Sequence, residues 1–126
     1  MISTKYINIL RKARLKSNCK IKMSAIAISG GRILAIANNT EGSAGNGVYR
    51  YSRHAEDNLL RLLNVRRRAG ASNVYIPVVY VYREHGKRSG KALLSRPCRL
   101  CEHNLRAAGV KRVIFSTASG WEVMRL

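Results

Sequence analysis

The residues best suited to chemistry lie in two short segments of the chain. The segment HAE begins at His54, and the segment PCRLC begins at Pro97. Imidazole and thiolate groups are common zinc ligands, and three protein ligands with a fourth position open to water form a catalytic rather than a structural zinc site. We therefore predict that His54, Cys98 and Cys101 bind Zn²⁺.

Glu56 stands two positions after His54, so it shares a helical turn with the histidine without pointing at the same spot. It can then reach a water molecule on the metal rather than the metal itself. A carboxylate placed there can take a proton from that water and pass it to a leaving amine, a role worth roughly 10²- to 10⁴-fold in rate. Glu56 is the predicted catalytic residue.

Each segment alone is a weak signal. His-x-Glu occurs by chance, and Cys-x-x-Cys also occurs in redox sites and structural zinc sites. Together, His-x-Glu and Pro-Cys-x-x-Cys form the signature of zinc-dependent deaminases of nucleobases. A redox role for the cysteines would leave His54 and Glu56 unexplained.

The elements that must position these residues follow from hydrophobic periodicity and from turn residues. Helices are predicted from Thr4 to about Lys16, from His54 to about Arg68, and from Pro97 to about Ala108. Strands are predicted at Lys22 to Ser29, Arg32 to Ala37, Asn73 to Tyr82, Lys111 to Ser116 and Trp121 to Leu126. The segments 38–53 and 83–96 are predicted to be loops, the second one basic.

This order predicts an α/β sandwich within a single domain, residues 1–126. The last two strands should be antiparallel, because a parallel crossover needs about a dozen residues and Thr117 to Gly120 cannot supply them. Helices that follow adjacent strands begin at the same edge of the sheet, so the histidine and the two cysteines can converge. We also expect the helix N-terminus to lower the thiol pKa and favour the thiolates.

The charge balance indicates an anionic partner. The chain has 24 Lys and Arg against 6 Asp and Glu, a net charge of +18. Nucleic acid or nucleotide phosphate would relieve the self-repulsion of so much positive charge. The odd count of three cysteines argues against a disulfide framework and favours a reducing compartment, the cytoplasm. No apolar run has a membrane-spanning length, so we expect no membrane partner.

From about residue 3 to its end the chain resembles the cytidine deaminase superfamily. The resemblance rests on the segments GRILAIANNT, RHAEDNLLRLL, SRPCRLC and AAGVKRVIFST. It implies a three-layer α/β/α sandwich with a five-stranded mixed sheet, a zinc ion, and deamination of cytosine or adenine. It also implies a sugar contact by Asn38, with Asn39 as the alternative, and Ala55 joins the candidate substrate contacts.

Two departures concern the substrate. Deaminases of deoxycytidylate and of polynucleotides usually have a helix between the last two strands, and this chain has no room for one. That is similar to the free-cytidine branch, which however commonly uses three cysteines as zinc ligands.

Four aromatic residues could stack on a base. We favour Tyr49 and Tyr51, which neighbour Arg53, a candidate for touching phosphate; Phe115 is more simply a core residue, and Trp121 is the fourth.

The favoured substrate is therefore cytosine in a nucleotide or in single-stranded nucleic acid. The alternatives are a salvage deaminase of free cytidine or deoxycytidine, an adenosine deaminase acting on nucleic acid, and a non-catalytic zinc-stabilised module that binds nucleic acid. The last would not need Glu56. The chain could also form homo-oligomers, although +18 opposes self-association.

Overall fold

The computed structural model describes residues 4–19, 21–43, 50–68, 76–85 and 92–126. These residues form three helices, α1 (Thr4–Arg14), α2 (Ala55–Arg68) and α3 (Arg99–Ala107). They also form eight strands: β1 (Ile21–Ser29), β2 (Arg32–Asn38), β3 (Thr40–Ser43), β4 (Arg50–Arg53), β5 (Val78–His85), β6 (Ala92–Leu93), β7 (Arg112–Thr117) and β8 (Gly120–Arg125). Among the described helices, none combines the length and the apolarity that crossing a bilayer requires.

The main sheet has the strand order β2-β1-β5-β7-β8, and the short strand β6 pairs with the end of β5. Strands β5 and β7 are parallel, and the other neighbouring pairs are antiparallel. The predicted mixed sheet is confirmed, with the five predicted strands along its main path and β6 added. The last two strands form the predicted antiparallel hairpin, in which Thr117 pairs with Gly120.

The core has two parts, one on each face of the sheet. Along β1 the side chains alternate, so that Ala25 and Ala27 belong to one buried cluster while Ile26 and Ile28 belong to the other. The first cluster contains residues of α2 and α3, and the second contains Leu10 of α1. Helices therefore cover both faces, which confirms the three-layer sandwich.

A buried polar network ties α1 to β5. Glu84 is 1% exposed and forms an ion pair with Arg14 of α1. The Tyr82 hydroxyl donates a hydrogen bond to Glu84 Oε1 at 2.9 Å. Burial, and then this bond to a carboxylate, raise the pKa of Tyr82 to about 12, so the phenol keeps the proton that it donates. The carboxylate thus has its partners on this face.

The structure corrects both predicted loops. The 38–53 segment contains β3 and β4, which pair from Thr40 with Arg53 to Ser43 with Arg50. Its Gly, Asn and Ser content predicted a loop, because these residues favour turns over strands. In the 83–96 segment, β5 continues to His85 and β6 pairs Leu93 with Arg83. Parts of these segments, 44–49 and 86–91, lie outside the described residues.

Two predicted helix ends can be compared with the structure. Helix α3 ends in a Schellman motif, in which Gly109 N–H donates to Arg106 O at 3.0 Å and Val110 N–H donates to Leu105 O at 3.1 Å. Gly109 has a φ of 91°, a left-handed conformation that favours glycine, as the sequence predicted. Gly70, the predicted stop of α2, lies outside the described residues.

The packing of α2 generates a stability prediction. Leu59 is 0% exposed in the core, whereas Leu62 on the same helix is 46% exposed. Leu59→Ala should lower the free energy of unfolding by about 2–5 kcal/mol, because it removes buried apolar contacts and leaves a cavity. Leu62→Ala should change it by about 0.5 kcal/mol or less. Urea unfolding measures both, and equal midpoints for the two variants would contradict this packing.

Candidate active site

The direction of β1 brings the two chemical segments to one edge of the sheet. Strands β2 and β5 are both antiparallel to β1, so they run the same way and end at the same edge. Helix α2 follows β2 through β3 and β4, and helix α3 follows β5 through β6. The prediction that the two helices follow adjacent strands is wrong, because β1 lies between β2 and β5. The helices still begin at a common edge.

At this edge one histidine and two cysteines come together. His54 Nδ1 lies 3.4 Å from Cys101 Sγ and 3.9 Å from Cys98 Sγ. The three ligand atoms all lie within 4.8 Å of one another, and no other such group of His, Cys, Asp or Glu occurs in the described part of the chain. Tetrahedral zinc, with bonds of about 2.1 Å to nitrogen and 2.3 Å to sulfur, separates two such ligands by about 3.6 Å. The group fits that ion.

The start of α3 sets the positions of both thiols. Cys98 is the N-cap, and its Sγ accepts a hydrogen bond from the Cys101 backbone N–H at 3.5 Å. The helix begins at Arg99, so Pro97 precedes the cap instead of occupying the predicted first turn. A cap residue and a residue three positions later share one side of the first turn. Cys-x-x-Cys spacing therefore aims both sulfurs at the imidazole.

Glu56 lies inside the protein beside this group, 1% exposed. Burial raises the pKa of Glu56, while a hydrogen bond from its own backbone, the His54 charge and the Cys101 thiol lower it. Its Oε1 has no hydrogen-bond partner among the described residues. A buried carboxylate oxygen left this way costs free energy unless a bound species supplies the missing donor. The position of Glu56 suits a carboxyl group that exchanges a proton with a molecule bound at the site.

The pKa of the Cys101 thiol departs from the value expected for a thiol at a helix N-terminus. Burial raises the pKa of Cys101, and the negative charges of Glu56 and Cys98 add to the effect. The net direction is opposite to the lowering that a helix N-terminus alone would cause. A bound metal cation would lower the pKa of this thiol instead, since a coordinating thiol is deprotonated outright.

Known proteins resemble this chain in structure and not in sequence. No family model matches the chain, and no curated protein is similar to it in sequence. Among solved structures, a cytidine deaminase from Burkholderia pseudomallei aligns with 99% of this chain and 93% of its own, with a TM-score of 0.69 and 19% identity. The chain therefore shares the cytidine deaminase fold.

Two further structures share the cytidine deaminase fold with this chain. A cytidine deaminase from Mycobacterium leprae has a TM-score of 0.58 and 21% identity, covering 93% of this chain and 92% of its own. A dCMP deaminase from the cyanophage S-TIM5 has a TM-score of 0.55 and 23% identity, covering 92% and 86%. At these identities the likeness concerns the fold.

A cavity of about 310 Å³ opens beside His54 on the cytidine deaminase fold. It is lined by Cys19, Ile21, Met23, Asn39, Glu41, Arg53, His54 and Arg83. Arg53, a predicted phosphate contact, is therefore at the site. Asn39 is there too, but its Oδ1 accepts hydrogen bonds from Ser17 Oγ at 2.6 Å and from Met23 N–H at 2.9 Å. Its side-chain amide joins β1 to the segment that follows α1.

Asn38, the preferred sugar contact, lies elsewhere. Its Nδ2 donates to Ala13 O at 3.3 Å, and it lines a larger cavity of about 690 Å³ between α1, β2 and α2 that none of the three metal-ligand candidates lines. Ala55 is 0% exposed in the core, which leaves its backbone for any contact with substrate. The substrate roles of both residues remain predictions.

The predicted base-stacking residues have different outcomes. Tyr49 lies outside the described residues, and of Tyr51 the structure describes the backbone, which pairs with Gly42. Phe115 is buried in the core, where the sequence analysis put it. Trp121 stacks on Tyr82 with ring centroids 6.0 Å apart, on the α1 side of the sheet.

Sequence reasoning missed Arg83, which lines the cavity beside His54. The sequence pattern predicts a basic loop here, in which Arg83 is one cation among several. The available signal was the period of two through Val79, Val81 and Arg83, which continues the strand and carries the arginine to the α2 and α3 face.

The geometry predicts which cysteines bind metal. Purified protein should bind one Co²⁺ with a thiolate-to-cobalt absorption band, and Cys98→Ala or Cys101→Ala should abolish tight binding, because each removes one of the three ligands. Cys19→Ala is the matched control, since Cys19 is half-buried near the site but outside the ligand group. Loss of the band in Cys19→Ala alone would show that the ligand set is wrong.

Proposed function

We propose that the protein is a zinc-dependent hydrolytic deaminase that converts cytosine to uracil in a nucleotide or in single-stranded nucleic acid. The observation that carries this proposal is the meeting of His54, Cys98 and Cys101 beside a buried Glu56 whose Oε1 has no partner among the described residues. We also propose that the protein works in the reducing cytoplasm, because an odd count of three cysteines does not fit a disulfide framework.

His54, Cys98 and Cys101 would hold the ion. Two thiolates and one imidazole are ligands that zinc favours, and a three-ligand set leaves one position for water. When bound, zinc would lower the pKa of its water far below that of bulk water, to about 7, and so supply a nucleophile at neutral pH.

Glu56 would move the protons. Hydrolytic deamination forms a C–O bond at C4 of cytosine and breaks the C–N bond, so the amino group leaves as ammonia. One carboxylate can accept a proton of the attacking water and deliver it to the departing nitrogen. The raised pKa of Glu56 brings its affinity for protons closer to what such a shuttle needs at neutral pH.

The choice of cytosine draws on the similar structures, which are named as cytidine and dCMP deaminases. The choice of a phosphate-bearing substrate draws on the charge of +18. The β7–β8 hairpin favours free cytidine or deoxycytidine as the second candidate, because it lacks the helix usual in deaminases of larger substrates.

The decisive experiment is Glu56→Gln. We expect deamination to fall by at least about 100-fold with zinc content unchanged, because the amide cannot carry the proton and the metal ligands are untouched. Ammonia release should be measured with cytidine, deoxycytidine, their monophosphates, a cytosine-containing single-stranded oligonucleotide and adenosine.

Glu122→Gln on β8 is the matched control, since it makes the same chemical change at an exposed position far along the chain from both site segments. It should retain activity. If Glu56→Gln kept full activity, the deaminase mechanism would be wrong. If wild-type protein bound the oligonucleotide and zinc but released no ammonia, it would be a binding module.

A further inference from the structure

A cation lies near the carboxyl end of β5, on the cavity beside His54. Arg83 pairs with Met23 of β1 and follows Val79 and Val81 at a period of two, so it shares their face of the sheet. That face is covered by α2 and α3, whose N-termini carry the metal-ligand candidates. Arg83 lines the same cavity as His54.

One hydrogen bond to a described residue holds the Arg83 guanidinium and uses one of its N–H donors. The backbone N–H donates to Ser116 Oγ at 3.1 Å, and Nη1 donates to Leu94 O at 3.3 Å. The Nε atom is buried and has no hydrogen-bond partner among the described residues. Since a guanidinium has five N–H donors in a fixed fork, Arg83 has donors left for a ligand.

A second guanidinium lines the same cavity. Arg53 ends β4 and directly precedes His54, so it approaches the cavity from a different sheet than Arg83 does. Among the described residues of the lining, Glu41 is the single acidic one, against two arginines. The walls therefore carry a net positive charge beside the proposed reaction centre, and guanidinium groups bind phosphate oxygens with paired hydrogen bonds.

We propose that Arg83 and Arg53 form a phosphate subsite beside His54, so that the substrate carries a phosphate next to the target cytosine. This rests on the proposed function and assigns the phosphate of its nucleotide or single-stranded substrate to two named residues. Free nucleosides would lack the group that the two arginines bind.

The test compares Arg83→Gln with wild type on deoxycytidine, dCMP and a short single-stranded oligonucleotide with one cytosine. We expect kcat/KM for the preferred phosphate-bearing substrate to fall roughly 10- to 100-fold, the usual loss for a charge-assisted hydrogen bond. The value for deoxycytidine should stay within about twofold. Preference for dCMP indicates the monoester, and preference for the oligonucleotide indicates the diester.

Arg112→Gln is the matched control. Arg112 is exposed at the start of β7, where it pairs with Val78 at the opposite end of β5 from Arg83. Arg112→Gln removes one positive charge, as Arg83→Gln does, and should leave all three kcat/KM values unchanged. Equal losses in both variants would mean that total charge, not a subsite, governs binding, and would overturn the proposal.

A structural role for Arg83 gives a different result. If Arg83→Gln lowered kcat/KM for deoxycytidine as much as for the phosphate-bearing substrates, the residue would only support the fold, and the subsite would be wrong. Zinc content and melting temperature, measured on each variant, identify that case. Wild-type protein that used deoxycytidine as efficiently as the phosphate-bearing substrates would also overturn the proposal.

Failure of the proposed function can be told apart from failure of the subsite. If zinc-loaded wild type released no ammonia from any substrate, the proposed function would fail, and calorimetry with dCMP and the oligonucleotide would test the subsite by itself. Binding weakened by Arg83→Gln but not by Arg112→Gln would support the subsite. Binding that ignores both substitutions, or no binding, would overturn it.

Discussion

The site depends on β1 running antiparallel to both of its neighbours in the sheet. Because β2 and β5 are each paired to β1 in this sense, they point the same way although they do not touch. Each is followed, after a short strand or strand pair, by a helix that begins at the shared edge. The alternating small and large side chains of β1, such as Ala25 and Ile26, let helices pack on both faces of this strand. The convergence of His54 with the two cysteines follows from that pairing.

The two buried glutamates show how the fold separates structure from chemistry. Glu56 and Glu84 are each 1% exposed, on opposite faces of the sheet. Glu84 is neutralised by Arg14 and accepts the Tyr82 hydroxyl, so its charge is compensated within the chain. Glu56 keeps an oxygen without a partner among the described residues and faces a thiol whose pKa it helps to raise. A buried carboxyl group and two thiols that come together in this way would gain a compensating charge from a bound cation.

Sequence patterns predicted what depends on periodicity and on chemical type. The helices, the strand alternation, the final hairpin and the stop at Gly109 all follow from local rules, and the ligand group follows from two short motifs. The β3–β4 pair was not predicted, because the residues of this segment favour turns and pair as strands only through tertiary context. Choosing between Asn38 and Asn39 requires knowing which face each amide takes, and one step along the chain reverses it. The position of Arg83 at the cavity was not predicted, because a loop was predicted where β5 continues.

The ligand group also has a consequence for the unfolded chain. His54 and Cys98 meet across a separation of 44 residues, and the stretch between them contains α2 and the central strand β5. An ion held by both would act as a cross-link, and closing a loop of this length removes disorder from the unfolded ensemble worth about 4 kcal/mol by the chain-entropy argument used for disulfides. Such a tether would stabilise the middle of the chain against unfolding and, unlike a disulfide, would not need an oxidising compartment.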